Sequence, residues 1–530
     1  MATTLSDLDS NETDPEPELP PDVLAHSSML QDRCPEWLKT QKSLAVLTAA
    51  VGFTFLVLSY FSLWHTDLWG HLSYGRWIWE QGALPATEPL MTLANGMPMI
   101  NFSWLSQLIG WGMYSIAGNE GLQFLYASSI TACVILLLVR FYKRTNHVVW
   151  SLLGVGVFLW LEWQHLRIIR PQLAGMLCHV SLLTLLVGTR WHKRNWVVIP
   201  VLFGLWANLH GSFLIGIATL AALCVGRAID VLRRTGQLQA VVKDNRVRRL
   251  FLLTELAAVA VLLNPYGLGI YQAALGLTAN TNLQDLVEWD ALNLKMKQGQ
   301  AAGAIALALI FAYQFSPRRV SVAEVLLLLG FGMSALWVSR MIVWWAPVAA
   351  YCLVLHGSAA WKQFRKTQTS PAERQGKWSF ISLGLVWICF AFTPFGNFVM
   401  HGRHQETERA VSTLTPLGAV KYLNEHPPQG QVFNTYEWGD YLLWAGPKNM
   451  QVFVASHAHL IPPTVWQHYM KIIHTSAGWD EVLDQYGVNT VVLDQLSRKN
   501  FITRMKREEK WKLDYEDSTA AVFVRKAPIL

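Results

Sequence analysis

The chain has 530 residues, of which 52% are hydrophobic and 15% are charged, and these proportions exclude an ordinary soluble protein in favour of one that crosses a membrane repeatedly. The formal net charge is +7, but the basic residues are spread over short loops, which argues against nucleic acid as a partner. No cysteine follows Cys389, so the C-terminal region contains neither a disulfide nor a thiolate metal site.

Residues 1–42 predict a disordered cytoplasmic tail. The stretch from Asp14 to Asp22 is acidic and rich in proline, a composition that does not support a packed core. The tail has neither the basic start nor the early apolar run of a cleavable signal peptide. The first apolar segment, residues 43–64, is therefore interpreted as an uncleaved signal-anchor.

Eleven apolar segments predict eleven transmembrane helices within residues 43–397, so the expected fold class is mainly α, a polytopic transmembrane helical bundle. The segments are approximately 43–64, 122–140, 148–164, 171–188, 196–210, 212–226, 250–264, 299–315, 320–338, 341–357 and 378–396. The segment 104–118 is amphipathic and shorter than the predicted spans, and it predicts an interfacial helix that lies along the bilayer.

The distribution of charge predicts the orientation of this bundle. With the N-terminus in the cytoplasm, the cytoplasmic loops carry most of the Lys and Arg of the membrane region, seven of them between Arg227 and Arg249. The positive-inside rule favours this arrangement. If residues 104–118 crossed the membrane, the sorting would reverse from Arg140 onward. Eleven crossings place residues 398–530 on the extracytoplasmic face.

Residues 398–530 predict an extracytoplasmic α/β domain. This region contains equal numbers of basic and acidic residues. Strand-like runs occur at residues 431–433, 451–455, 489–494 and 520–524, and helical stretches at residues 416–424 and 479–486 lie between them. The alternation of the two patterns is typical of a small α/β domain.

Unusual polar residues collect at the extracytoplasmic ends of the predicted helices. The first external loop, residues 65–121, opens with HTDLWGH at residues 65–71, directly after a predicted span, where unpaired ionisable groups are costly and usually functional. The polar candidates on this face are Asp67, His71, Glu88, His165, Arg167, Arg170, Asn208, His210 and Arg340. Their convergence on one face predicts a site there.

Taken singly, these residues also have purely structural explanations. Asp67 is equally well explained as a helix cap or as a partner of Arg76. Arg167 and Arg170 suit lipid headgroup anchors, and Arg340 suits a cation that reaches the interface from a span. These explanations weaken together, because the predicted topology brings one carboxylate and several cations to the same face.

A lipid-linked sugar is the substrate that this set of residues fits. Its phosphate lies at headgroup depth, where the planar fork of arginine donates two charge-assisted hydrogen bonds. Departure of a polyprenyl phosphate from an anomeric carbon develops negative charge that placed cations stabilise. A carboxylate within hydrogen-bond reach accepts the proton of the attacking hydroxyl. A single such base predicts direct displacement with inversion.

Several motifs carry a resemblance to a known superfamily. They are GRWIWEQGALPATEP at 75–89, RPQL at 170–173, WANLHG at 206–211, NPYG at 264–267 and FNTYEWGDYL at 433–442. In these motifs the chain resembles bacterial membrane proteins of the GT-C glycosyltransferase superfamily, which use polyprenyl-phosphate sugars as donors. The resemblance covers most of residues 43–526. It implies a bacterial inner-membrane location.

The resemblance also implies roles for individual residues. An acidic residue in the first external loop serves the superfamily as base or helps to position substrate and metal, and this role maps onto Asp67. Glu88 stands where relatives carry a second acid. The sequence departs from the pattern at Ser103, where many relatives have an acidic residue just before Trp104. No metal or other cofactor is therefore predicted, although a divalent metal would be compatible with the superfamily.

The leading hypothesis is an inverting glycosyltransferase with Asp67 as general base. In it the three arginines bind the lipid phosphate, and the histidines, Asn208 and Glu88 contact the substrates. The expected partners are a polyprenyl-phosphate-linked sugar donor, a glycan, lipid or protein acceptor, and membrane lipids, with no nucleic acid. Candidate acceptor contacts are residues 434–436 and 456–459.

Two other functions remain open. A lipid or polysaccharide transporter, or a flippase, should carry ionisable groups near the bilayer midplane. Glu255 and Glu324 lie in or near spans, but close to the predicted cytoplasmic ends, which disfavours transport. A catalytically inactive scaffold for envelope assembly is the other alternative, and Ser103 in place of an acid supports it.

Overall fold

The computed structural model describes residues 34–188, 191–365 and 374–529. Most of the predicted disordered tail lies outside these residues. From Lys42 onward the apolar region is almost entirely helical. Its helices are Lys42–Ser59, Leu68–Gln81, Trp104–Thr145, Val148–Glu162, Gln172–Leu186, Asn195–Leu209, Phe213–Thr235, Leu238–Lys243, Asn245–Val261, Gly269–Gly276, Lys297–Phe315, Val322–Trp337, Ile342–Arg365, Gly376–Ala391 and Pro394–His401.

Each of the eleven predicted spans coincides with a helix of this region. Within the described residues, four helices are long and apolar enough to cross a membrane, and five if Gly376–Ala391 and Pro394–His401, which meet at 85°, form one span. Several others, among them Val148–Glu162, are shorter apolar helices. The membrane-spanning character is thus confirmed, and the number of eleven crossings stays a prediction.

The helix Trp104–Thr145 is broken at the point where the sequence separates an interfacial segment from a span. Ala117 and Gly118 leave the helical conformation, with Gly118 at φ +57° and ψ −143°, which glycine adopts without steric cost. The part before the break packs closely on the helix Leu68–Gln81. A Cβ at Gly75 would lie 2.2 Å from the carbonyl oxygen of Gln107. The first external loop is therefore a compact pair of helices.

The C-terminal region forms a five-stranded mixed sheet flanked by short helices. Two further short strands, β1 (Thr40–Gln41) and β2 (Arg374–Gln375), form a separate antiparallel pair. The sheet strands are β3 (Gln431–Asn434), β4 (Gln451–Val452), β5 (Val488–Asp494), β6 (Trp511–Glu516) and β7 (Ala520–Arg525). The helices are Thr407–Ala410, Leu417–Glu425, Gly439–Ala445, Pro463–Ile473, Trp479–Gln485 and Lys499–Met505.

The order in the sheet is β4-β3-β5-β7-β6, with β3 parallel to β4 and β5, and β7 antiparallel to β5 and β6. The four strands predicted from sequence are confirmed, and so is the α/β character. Strand β6 was not predicted. It lies at an edge of the sheet, and its exposed residues alternate with covered ones, so its sequence lacks a continuous apolar run.

The C-terminal domain shares its hydrophobic cores with the first external loop. Trp69 packs against the rings of Tyr441 and Trp444, with centroids 5.2 and 5.9 Å away. At the start of the domain, the carbonyl of Leu63 accepts a hydrogen bond from the backbone N–H of Ser412, and the N–H of Leu63 donates one to the carbonyl of Ala410. Because these contacts are buried, the domain is held against the loop that carries Asp67.

Candidate active site

Asp67 occupies the N-cap position of the helix Leu68–Gln81, but its side chain does not cap the helix. Its φ is +33°, a conformation that is costly for a residue with a Cβ and that proteins retain mostly at functional positions. Asp67 Oδ2 lies 3.0 Å from Arg170 Nε. Arg76 lies instead over the ring of Trp444, 4.8 Å from its centroid. Both local explanations of Asp67, as a cap and as a partner of Arg76, are therefore wrong.

Arg170 belongs to a chain of four charged side chains, which we call the outer network: Asp67, Arg170, Glu288 and Arg340. Arg170 Nη1 lies 2.6 Å from Glu288 Oε2, and Arg340 Nη1 lies 3.0 Å from Glu288 Oε1. Glu288 therefore bridges two of the three arginines that the sequence had assigned to phosphate binding. The residues come from four separate segments of the chain, so only the fold brings them together.

The outer network is balanced in charge, two carboxylates against two guanidinium groups. Burial opposes the charged form of Glu288, but Arg340 and Arg170 outweigh it and hold the pKa of Glu288 well below its usual range. In the same way, burial lowers the pKa of Arg170, and Asp67 and Glu288 more than reverse the effect. All four groups are thus held in place by mutual attraction, with most of their surface covered.

Neutral histidines surround the outer network. Burial, with the nearby charge of Arg170, lowers the pKa of both His71 and His165 to about 3. Gln107 Nε2 donates to His71 Nδ1 at 3.1 Å, and Gln298 Nε2 donates to His165 Nδ1 at 2.9 Å. His210 Nδ1 accepts from the backbone N–H of the next residue but one, at 3.1 Å. In a neutral ring whose Nδ1 accepts, Nε2 carries the proton, so each ring keeps one donor.

A third carboxylate reaches this region from the C-terminal domain. Asp440 is 2% exposed, its Oδ1 accepts a hydrogen bond from the backbone of Ser456, and its Oδ2 has no partner among the described residues. Burial, and after it the charge of Asp67, raises the pKa of Asp440 to about 7. A Cβ at Gly70 would lie 2.5 Å from Asp440 Oδ1. The absence of a side chain at Gly70 is what admits this carboxylate.

Both segments proposed as acceptor contacts meet the site. The Tyr436 hydroxyl donates to the carbonyl of Ser456 at 2.9 Å, and burial, followed by the charge of Asp67, raises the pKa of Tyr436. The ring of His457 lies 5.1 Å from that of His71. Burial, followed by the charge of Arg340, lowers the pKa of His459 to about 4. The C-terminal domain therefore covers the outer network.

Three candidates are engaged elsewhere. The Glu88 carboxylate accepts from Tyr74 at 2.6 Å and from two backbone N–H groups of its own loop. Asn208 bonds Trp104 and two backbone carbonyls, so its amide joins helices. Arg167 is exposed, and its guanidinium lies 5.5 Å from the centroid of Trp64. Their contacts connect parts of the fold, and a substrate role for them stays a prediction.

Glu288 and Asp440 are not among the site residues predicted from sequence. Asp440 lies in the motif 433–442, and Glu288 begins an acidic and aromatic triplet, residues 288–290. What was missing is their proximity to Arg170 and Asp67. Among the described residues, no group of three or more His, Cys, Asp or Glu side chains is arranged to hold a metal ion.

An apolar cavity of about 240 Å³ opens beside the outer network. Arg170, His71 and Gln107 line one end of it. Deeper in, its walls are apolar residues of the broken helix and of Gln172–Leu186, including Leu125 and Leu177.

Two solved structures of membrane-bound transferases share this architecture. The oligosaccharyltransferase of Archaeoglobus fulgidus, tethered with an acceptor peptide, matches 85% of this chain and 68% of its own with a TM-score of 0.51 and 12% identity. ArnT from Cupriavidus metallidurans bound to undecaprenyl phosphate matches 90% of this chain and 97% of its own, with a TM-score of 0.50 and 11% identity. The chain has the GT-C fold.

The GT-C fold recurs in a further structure, AglB from Archaeoglobus fulgidus in complex with an inhibitory peptide and a dolichol-phosphate. It matches 85% of this chain and 69% of its own, with a TM-score of 0.50 and 11% identity. At these identities the similarity concerns the fold alone, and the resemblance seen in the motifs is confirmed at that level. The sequence matches no protein-family model and none of the curated proteins.

Proposed function

We propose that this protein is a glycosyltransferase that moves a sugar from a polyprenyl-phosphate donor to an acceptor on the extracytoplasmic face of a bacterial inner membrane, with inversion. The observation that carries the proposal is the position of the outer network at the mouth of the apolar cavity. Arg170 belongs to both. A phosphate bound there would have its lipid chain in the cavity and its sugar toward the C-terminal domain.

The arginines retain donors for such a phosphate. Arg170 uses Nε and Nη1 in the outer network, and Arg340 uses Nη1. The remaining N–H groups, together with the Nε2 donors of the neutral histidines, stabilise the charge that develops on the departing phosphate. Glu288 keeps the two guanidinium groups at a fixed separation before the donor arrives, so their reorganisation during the reaction is small.

Asp67 acts as the general base. Its pair with Arg170 uses Oδ2, and Oδ1 is left to accept the proton of the attacking acceptor. Glu288 is held between two arginines and makes a poor nucleophile, and the reaction therefore runs as one displacement with inversion. Tyr436, His457 and His459 face the acceptor, which is a glycan, a lipid or a protein.

The test measures polyprenyl-phosphate sugars by mass spectrometry in cells that lack the gene. The cells are complemented with the intact protein, with Asp67→Asn, or with the matched control Glu80→Gln, an exposed carboxylate on the same helix. We expect one lipid-linked sugar to accumulate without the gene and with Asp67→Asn, and to be cleared by the intact protein and the control.

Two outcomes would contradict this proposal. If Asp67→Asn clears the lipid-linked sugar as well as the intact protein does, Asp67 is not the base. If no lipid-linked sugar changes in any strain, the protein is not a transferase of this kind, and transport or a scaffold role becomes the better explanation. The amounts of protein in the membrane are compared by immunoblot, so that loss of the protein is not mistaken for loss of catalysis.

A further inference from the structure

A second and larger cavity, of about 640 Å³, lies at the other end of the helical bundle. The helix Gln172–Leu186 shows the separation: it begins beside Arg170 and ends with Leu186 in the wall of this cavity. Fifteen residues of helix span roughly 22 Å. The predicted topology places this cavity at the cytoplasmic face, and no step of the proposed transfer uses it.

Seven arginines line this cavity, which we call the arginine cavity: Arg140, Arg144, Arg227, Arg234, Arg246, Arg249 and Arg318. Among the described residues, only two acidic ones, Asp230 and Glu324, are in its lining. The arginines come from the helices that end or begin near it and from the loop before Val322. The positive-inside rule explains why basic residues occur on this face, but it does not require them to converge around one cavity.

The two acidic residues do not neutralise the arginines. Glu324 Oε2 lies 3.1 Å from His356 Nε2, and Asp230 accepts from the backbone N–H of Val322 at 3.3 Å. Arg227 pairs with Asp244, with Nη2 and Oδ2 2.6 Å apart. Among the described residues, it is the only ion pair that a lining arginine makes. The arginine cavity therefore keeps an excess of positive charge.

The deepest arginines have donors without acceptors. Arg140 Nε and Nη2 and Arg144 Nε are buried and have no hydrogen-bond partner among the described residues. A buried donor that loses its bond to water without a replacement is destabilising, and more so when the group is charged. Arg144 does donate from Nη2 to the carbonyl of Val187 at 2.6 Å, so its guanidinium is held in place while Nε stays unused.

We infer that the arginine cavity binds a phosphate-bearing molecule. Phosphate suits the site because it offers several charged oxygens to several guanidinium forks at once, which a single carboxylate does not. The rest of the cavity is lined by apolar residues, including Leu137, Leu183 and Leu327. A volume of about 640 Å³ holds much more than one phosphate. The phosphate is carried either by an anionic lipid or by a soluble molecule.

The test uses the full chain purified in an uncharged detergent. Phosphatidylglycerol, with phosphatidylcholine as the lipid without net charge, is titrated by native mass spectrometry, and pyrophosphate is titrated by calorimetry. The cavity variant is Arg140→Gln with Arg246→Gln. The matched control, Arg233→Gln with Arg319→Gln, removes the same charge at exposed positions that do not line the cavity.

We expect the intact protein to bind phosphatidylglycerol or pyrophosphate, and the arm that binds identifies the source of the phosphate. The cavity variant should weaken that binding about 100-fold, since each lost charge-assisted bond corresponds to about tenfold, while the control stays close to the intact protein. Arg246→Gln alone, at an exposed rim position, should show the same effect at about tenfold without a risk of misfolding.

Three results would overturn the inference. The first is an equal loss of binding in the control, which would mean that general surface charge attracts the ligand. The second is unchanged binding in the cavity variant. The third is an intact protein that binds neither phosphatidylglycerol nor pyrophosphate. Asp67→Asn should bind like the intact protein, so a failure of the proposed transferase function leaves this test unaffected.

Discussion

Arginines at the two ends of the bundle have opposite electrostatic surroundings. In the outer network, Arg170 and Arg340 are matched by Asp67 and Glu288 at 2.6–3.0 Å. In the arginine cavity, seven arginines face two acidic residues that are bonded elsewhere. A balanced network fixes the geometry of its members before a substrate arrives, whereas an unbalanced one is completed by an anion from outside. The comparison predicts opposite consequences when one charge is removed at each end.

The largest effect is expected for Arg170→Lys. A single ammonium group cannot reproduce the planar fork that bonds Asp67 through Nε and Glu288 through Nη1, although the charge is kept. We expect the rate of sugar transfer to fall by about 100-fold, measured as turnover of the lipid-linked donor in membranes. Arg167→Lys is the matched control, because Arg167 is exposed and contacts Trp64 only through its ring. Equal losses in both variants would contradict a special role for Arg170.

The next largest effect is expected for Glu288→Gln. The substitution keeps the shape of the side chain and removes the charge that two guanidinium groups share. Because the three side chains are partly exposed, we expect the free energy of unfolding to fall by about 1–2 kcal/mol, together with a loss of activity. Thermal unfolding in detergent measures the first effect. Asp290→Asn, two residues away and exposed, should change neither quantity, and a similar shift in it would point to the loop as a whole.

Asp440→Asn should change the dependence of stability on pH. The pKa of Asp440 is raised to about 7 in the folded protein, so between about pH 4 and pH 7 the folded state holds a proton that the unfolded state has lost. The contribution of Asp440 to the free energy of unfolding is therefore complete below about pH 4. It decreases by on the order of 2–4 kcal/mol as the pH rises to about 7. Melting temperatures between pH 4 and pH 8 should fall more steeply for the intact protein than for Asp440→Asn. Parallel curves would contradict the assignment.

The smallest effect, and the one opposite in sign, is expected for Arg140→Gln. In a buffer free of phosphate and of anionic lipid, removing one guanidinium from the arginine cavity relieves repulsion and leaves fewer buried donors without acceptors. We expect a rise in the free energy of unfolding of about 0.5–1 kcal/mol. Arg319→Gln should leave stability unchanged. A clear destabilisation by Arg140→Gln would mean that this arginine is already satisfied, and the contrast between the two ends would be lost.

Sequence patterns predicted the helices well because hydrophobic length is a local property. Each of the eleven apolar segments coincides with a helix, and the break at Ala117–Gly118 lies at the end of the segment expected to be interfacial. Strands β3, β4, β5 and β7 were predicted for the same reason. Strand β6 was not predicted, because an edge strand needs no continuous apolar run and the charged residues of β6 face outward.

The site was predicted in part. Asp67, Arg170 and Arg340 could be proposed from residue type and from the predicted topology, since those place ionisable groups at the same face of a membrane. Glu288 and Asp440 could not, because the local sequence around an acidic residue carries no sign of a partner that is distant in the chain. The packing of the C-terminal domain on Gly70 is what buries Asp440 near Asp67.

The sequence by itself therefore determined the membrane-spanning helical class, the α/β character of the C-terminal region and the face on which polar residues collect, because each follows from composition and periodicity over short stretches. The tertiary structure alone decided that Asp67 pairs with Arg170 rather than Arg76, that Glu88 and Asn208 bond within the fold, and that arginines from distant helices enclose one cavity. Charge pairing depends on distances of a few ångströms between residues far apart in the chain, and only the folded arrangement sets those distances.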